Sequence, residues 1–303
     1  METYRRFLKP EVLTRLKGID LKARLIVEGF LTGLHRSPFR GFSVEFAEHR
    51  PYMPGDEPRR IDWKVYGKTN RFYVKEFEEE TNLRAYLFLD ASGSMAYSSN
   101  QTSGKTGIHK LEYGSLLAAS LAFLLLKQRD SVGLVLFDEK IRRYIPPRSR
   151  GTHLHTLLRE LETLKPGGET NLSRAFHELA ERIKRRGLIL ILSDLLDNPE
   201  DVLMGLKHFR HKKHEVIVFH ILDPYEREFP FQGSTIFKDL ETGEELPVQP
   251  EELKDLYRKR LGEFLETYKR ECRKNLIDYL PIDTSTPFDL ALTSYLAKRK
   301  RLR

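Results

Sequence analysis

The segment Leu87-Phe88-Leu89-Asp90-Ala91-Ser92-Gly93-Ser94-Met95 runs from an apolar stretch straight into a cluster of oxygen-bearing side chains. Residues 85–89 are apolar on both faces, which is the pattern of a strand buried between two helical layers of a parallel sheet. In an open α/β sheet, ligands bind outside the carboxyl ends of the strands, so the polar cluster falls in the functional position. Asp90, Ser92 and Ser94 alternate along the chain, and a turning backbone can aim three side chains with that spacing at one point.

Outward from this segment the same alternation of short apolar runs and helical periodicity continues to the C-terminus. Residues 132–137, 188–192 and 216–222 predict further buried strands, with a last one over 276–282. Asp138-Glu139-Lys140, followed by residues 141–145, predicts a hairpin that adds an antiparallel edge strand. Between the strands, residues 110–129 form a helix that is apolar nearly all round and therefore central. Leu154, Leu157, Leu158, Leu161 and Leu164 make one apolar stripe, and Leu172, Ala175, Phe176, Leu179 and Ile183 another. Asn198-Pro199-Glu200-Asp201 supplies an N-cap, a proline for the first turn and acids for the positive helix end. Helices over about 251–275 and over 288–300 close the chain.

The expected organisation is therefore a doubly wound, mostly parallel α/β domain over residues 81–303. A small hairpin insertion is expected near 229–250, around Gly233 and Glu241-Thr242-Gly243-Glu244. Residues 1–80 read as a small β-rich appendage packed on that sheet. Residues 40–80 suggest short strands and turns, with 54–58 as a turn and 71–77 as a strand.

Composition narrows the class. A chain of 303 residues, 40% hydrophobic and 32% charged, can bury a sizeable core, which excludes disorder and fibres. Its one cysteine, Cys272, cannot form an intramolecular disulfide, so a secreted disulfide scaffold is excluded and a reducing cytoplasm is expected. The start, METYRRFLKPEVL, lacks the continuous apolar stretch of a signal peptide, so no export is expected. The longest apolar run, residues 116–126, would rise only about 16 Å as a helix against roughly 30 Å of hydrocarbon, so no membrane span is expected. The formal charge of +8 is interleaved with acids except in the tail at 298–303. That reads as solvated surface and not as a specific nucleic-acid site.

Two further places join the polar cluster. Gly167-Gly168-Glu169-Thr170-Asn171 is a loop opening a helix, and Asp194 directly follows the run 188–192. Thr170 or Asn171 also suits plain capping of the helix that begins at Leu172. Two carboxylates with three hydroxyls form a hard oxygen set, which favours magnesium, or manganese, over zinc or copper. Two acids roughly neutralise a divalent ion and leave positions for an external carboxylate.

Other motifs carry less. Gly104-Lys105-Thr106 has Ser99 where a phosphate-binding loop needs glycine, and reads as a solvated loop. His208, His211 and His214 beside Lys212 and Lys213 suggest an exposed basic face. Arg50, Asp56, Arg59, Asp62 and Trp63 suggest ion pairs and an aromatic anchor that join the N-terminal segment to the sheet.

Asp90, Ser92, Ser94, Thr170 and Asp194 resemble the metal-ion-dependent adhesion site of the von Willebrand factor A fold, Asp-x-Ser-x-Ser plus a distant Thr and Asp, in the right chain order. The resemblance implies that the two serines bind the metal directly, the threonine directly or through water, and the aspartates largely through water. Upstream, Gly41-Phe42-Ser43-Val44-Glu45-Phe46, Arg50-Pro51-Tyr52-Met53-Pro54-Gly55-Asp56 and Arg59-Arg60-Ile61-Asp62-Trp63 are similar to the bacterial family named domain of unknown function fifty-eight. That resemblance implies a partner or adaptor of MoxR-type AAA+ ATPases in a chaperone-like assembly. It also implies a non-enzymatic module that takes an Asp or Glu of its protein partner onto the metal.

The competing reading is a metal-dependent phosphoester hydrolase, because haloacid-dehalogenase-type phosphatases place their nucleophilic Asp after a first strand. Such enzymes need a second Asp two positions on, and that position is Ser92. Neither a paired general acid and base nor a Gly-x-Ser-x-Gly elbow surrounds the cluster.

Overall fold

The computed structural model describes residues 10–13, 17–35, 49–53, 61, 63–75, 83–99 and 108–300. The segment 41–46, the turn 54–58, Arg59, Arg60 and Asp62, the loop 104–106 and residues 301–303 lie outside the described residues.

The N-terminal part begins with a helical turn at Pro10–Leu13 and helix α1 (Ile19–His35). Strand β1 (His49–Pro51), helix α2 (Trp63–Thr69) and strand β2 (Tyr73–Lys75) follow, and the two strands pair antiparallel. Among the described residues of this segment helix outweighs strand. The reason is visible in α1, where Ile19, Ala23, Ile26, Val27 and Phe30 recur at helical spacing and are all buried. They join the same apolar cluster as one face of the main sheet, and Lys22 pairs with Glu112 at 3.2 Å across that contact. Trp63 is 61% exposed, and its ring meets Tyr66 at 6.0 Å and Phe72 at 6.5 Å, both within the N-terminal segment. The expected aromatic anchor therefore organises that segment itself.

The main sheet is built from β3 (Arg84–Asp90), β4 (Ser131–Phe137), β5 (Ile141–Arg148), β6 (Leu188–Ser193), β7 (Glu215–Leu222) and β10 (Asp278–Asp283), in the order β10-β7-β6-β3-β4-β5. All neighbours are parallel except β4 and β5, whose hairpin makes the expected antiparallel edge. This is the mostly parallel α/β sheet that the sequence predicts.

Helices cover both faces. Helices α3 (Lys110–Lys127) and α4 (Thr152–Glu162) lie on the face that also carries α1. Helices α5 (Leu172–Arg182) and α6 (Pro199–His211) lie on the other. Strand alternation divides β3 between the layers: Ala85, Leu87 and Leu89 enter the first cluster, Tyr86 and Phe88 the second. Phe88 meets Phe209 edge-on at 5.6 Å. Asn198 caps α6 as expected, its side chain accepting the Glu200 N–H at 3.0 Å.

The short helix α7 (Pro224–Glu228) leads to a two-stranded hairpin, β8 (Thr235–Lys238) and β9 (Glu245–Val248), within the expected insertion. Helices α8 (Pro250–Lys274) and α9 (Phe288–Lys300) complete the chain. Among the described residues, no helix is long and apolar enough to cross a membrane.

Candidate functional site

Strand β3 pairs with β4 on one side and with β6 on the other, so the strand order reverses between β3 and β6. Such a switch point opens a crevice at the carboxyl ends of the strands. Asp90 ends β3 and Asp194 follows β6, and both are fully buried.

The chain turns sharply after β3. One Asp90 oxygen accepts the Ser92 N–H at 2.9 Å, and the other accepts the Ser193 hydroxyl at 2.6 Å. The Ser92 and Ser94 hydroxyl oxygens lie 3.1 Å apart. Asp194 directly follows Ser193, whose hydroxyl binds Asp90, and it accepts the Lys110 ammonium at 2.7 Å and the Leu196 N–H at 3.3 Å. Of the five expected residues, Asp90, Ser92 and Ser94 are therefore linked by hydrogen bonds, and Asp194 stands beside them, its charge felt by Asp90.

Thr170 belongs to the loop beside this group. Gly93 N–H donates to Gly168 O at 3.0 Å, and Gly167 N–H donates to Ala91 O at 3.0 Å, tying the two loops together. Arg142 on β5 steadies the second loop by donating to the carbonyls of Lys165, at 2.9 Å, and Gly167. Asn171, not Thr170, caps α5, its side chain accepting the Arg174 N–H at 3.0 Å. That leaves the Thr170 hydroxyl for another partner, and it donates to Glu241 at the tip of the β8–β9 hairpin.

The electrostatics are unusual. Burial and the neighbouring Asp194 charge push the Asp90 carboxyl well above the usual carboxylate range. Burial would raise Asp194 as well, but the Lys110 charge and the hydrogen bonds from Lys110 and Leu196 hold it below that range. The fully buried Lys110 ammonium lies 2.7 Å from Asp194 and 2.6 Å from Glu226. Burial would lower its pKa, yet the two acids raise it, so it stays charged. Asp194 and Glu226 thus share a single ammonium, which Asp90 does not touch.

Among the described residues, no three His, Cys, Asp or Glu side chains gather in a way that could hold a metal. An ion here would depend on the hydroxyls of Ser92, Ser94 and Thr170 together with Asp90 and Asp194. That donor set fits a hard divalent ion: it is all oxygen, and of its two acids only Asp194 is paired with a cation.

Sequence reasoning passed over Lys110, Glu226, Ser193, Glu241 and Arg142 as site residues. Lys110 carried a usable signal, a charge opening a helix that is apolar nearly all round. The histidines are corrected in part. His214 is buried and accepts the Gly187 N–H at 3.2 Å, and His208 lies 3.1 Å from both His177 and Glu181, so the three do not form one exposed face.

Comparison with known proteins adds a family and several similar chains. Residues 48–266 match the sequence model of the family described as "Protein of unknown function DUF58". The chain is 27% identical over 297 residues to uncharacterized proteins Mb1516 of Mycobacterium bovis and Rv1480 of Mycobacterium tuberculosis, covering 96% of this chain and 91% of each relative. Among solved structures it is similar to the conserved hypothetical protein BatB from Bacteroides thetaiotaomicron, with a TM-score of 0.49 and 17% identity over 72% of this chain and 99% of that one. It is also similar to the PilB minor pilin from Streptococcus sanguinis, with a TM-score of 0.42 and 12% identity over 76% of this chain and 63% of that one.

Proposed function

This chain belongs to the DUF58 family of proteins of unknown function, and from that membership and the geometry at the switch point we propose that it is a non-enzymatic, metal-dependent protein-binding module. The observation that carries the reading is the gathering of Asp90, Ser92, Ser94 and Asp194 at the switch point, with Asp90, Ser92 and Asp194 buried and the Asp194 charge pressing on Asp90. Magnesium, or manganese in its place, would be held by these four residues with Thr170. When bound, it would supply the missing charge and an electrophilic position for a carboxylate.

The chain's own residues prepare that position. Ser92 and Ser94 contribute oxygens without adding negative charge. Lys110 fixes the direction of Asp194, and Ser193 fixes that of Asp90. Thr170 offers both a hydroxyl and an N–H to a carboxylate, as its contacts with Glu241 illustrate. Ser92 stands where a phosphatase of the competing kind needs its acid and base, so binding is favoured over hydrolysis.

The partner class we propose is a MoxR-type AAA+ ATPase, presenting an Asp or Glu, in the cytoplasm. The test is retention of such an ATPase by the immobilised protein, in magnesium and in chelator. The expected result is retention that is lost with chelator and with Ser92→Ala. Retention unaffected by chelator, with Ser92→Ala and Thr170→Ala both binding normally, would overturn the proposal.

A further inference from the structure

We propose that the tip of the β8–β9 hairpin is an internal ligand of this site: Glu241 occupies the place that a partner's acidic side chain enters, and a partner binds by displacing it. This deepens the reading above, on which it rests, by naming how the same site is regulated.

The contact is specific. One Glu241 carboxylate oxygen accepts the Thr170 N–H at 2.9 Å, and the other accepts the Thr170 hydroxyl. The same hairpin tip presses on the turn that carries the two serines. A Cβ at Gly93 would lie 2.7 Å from the Leu240 carbonyl oxygen and 3.0 Å from Glu241 Cγ, so only glycine lets the tip come this close. The Glu241 side chain therefore reaches both loops of the candidate site, its carboxylate on Thr170 and its Cγ against Gly93. Among the described residues it makes no ion pair, and it stands at the mouth of a group already rich in acids. A cation in that group would favour this placement.

The hairpin is built to present and release this side chain. The Asp239 carboxylate accepts the N–H groups of Glu241 at 2.7 Å and Thr242 at 3.0 Å, and Gly243 takes the positive φ of +77° that closes the turn. The tip thus holds its shape without help from Thr170. Strands β8 and β9 pair only with each other, and an isolated two-stranded ribbon is marginal in water. Ile236 and Leu246 are 65% and 63% exposed. Strand β8 is held more firmly: at its foot the Gly233 N–H donates to Glu251 at 2.6 Å, and the Phe237 ring meets Phe229 at 5.7 Å and Phe231 at 5.0 Å. Release of Glu241 can leave strand β8 docked.

Two measurements test this. In metal-free protein, amide hydrogen exchange at Thr170 should quicken about tenfold or more in Glu241→Ala, because its acceptor is removed, and stay unchanged in the Glu244→Ala control. In magnesium, a synthetic peptide of residues 235–248 should bind the Glu241→Ala protein about tenfold or more tightly than the wild type, whose site its own hairpin fills. The same peptide carrying E241Q should lose that preference. Equal Thr170 exchange in wild type and Glu241→Ala, or a peptide that binds both proteins alike or neither, overturns the internal ligand. Absence of magnesium binding to either protein by calorimetry overturns the metal-dependent reading instead, and the metal-free exchange result still decides whether Glu241 occupies the site.

Discussion

The Lys110 ammonium lies 2.7 Å from the Asp194 carboxylate, with both side chains wholly shielded from solvent. Glu226 closes on the same ammonium at 2.6 Å. Desolvating these charges is costly, and only the full set of contacts repays it. Removing the cation alone strands two acids in the interior. Lys110→Met should therefore lower the unfolding free energy by about 3–5 kcal/mol, read from urea denaturation. A loss below about 1 kcal/mol would mean that the acids find protons or water at little cost, and that the lysine does not organise the site.

Arg142 is expected to separate site geometry from global stability. Its guanidinium pairs with Asp138 and holds the carbonyls of the loop that carries Thr170, while its side chain keeps partial solvent contact. Arg142→Ala should weaken magnesium binding severalfold by calorimetry, with a stability loss of only about 1–2 kcal/mol. Magnesium affinity that does not change would remove Thr170 from the ion's partners.

Much of this architecture was legible because β3, β4, β6 and β7 are apolar on both faces, a pattern that few elements other than buried parallel strands produce. Once those strands are placed, Asp90 and Asp194 fall at their carboxyl ends by position alone. The supporting residues were hidden by chain separation. Lys110 meets Asp194 across 84 residues, and Thr170 meets Glu241 across 71, so no local spacing signals either contact. Glu241 reads from sequence as turn chemistry only. Helix α1 had helical spacing, but its apolar positions alternate with Asp20, Lys22, Arg24 and Glu28 ahead of a turn-rich stretch, and what stabilises it is burial against α3 and α4.

Cys272 lies in the second apolar layer with Tyr268 and Ile277. Burial, aided by the Glu271 charge, pushes its thiol up to about 12 from an ordinary value near 9. The folded pKa is the higher one, so the contribution to stability is whole below about 9 and is lost as pH rises through about 12. Iodoacetamide at neutral pH should leave the native chain unmodified and label it fully in urea. Rapid labelling of native protein would show that α8 opens from the sheet.

Magnesium should raise the melting temperature of the wild-type chain in a concentration-dependent way. An ion that binds only the folded form adds RT ln(1 + [Mg2+]/Kd), about 2.7 kcal/mol at a hundredfold excess over Kd. Ser92→Ala and Ser94→Ala each delete one neutral oxygen from a turn that lies outside both apolar layers, apart from the packing of Met95 and Ala91. In chelator these variants should melt within about 1 kcal/mol of the wild type, because the buried strands and helices hold the sheet together without them. In magnesium they should lose most of the shift, since each hydroxyl removed takes one of the two serine oxygens from the ion and leaves it Asp90, Asp194, Thr170 and a single serine. Asp90→Ala should abolish the shift altogether, because one of the two site acids is gone. Shifts in Ser92→Ala and Ser94→Ala that equal the wild-type shift would place the stabilising ion elsewhere on the chain and dissociate the switch point from metal binding.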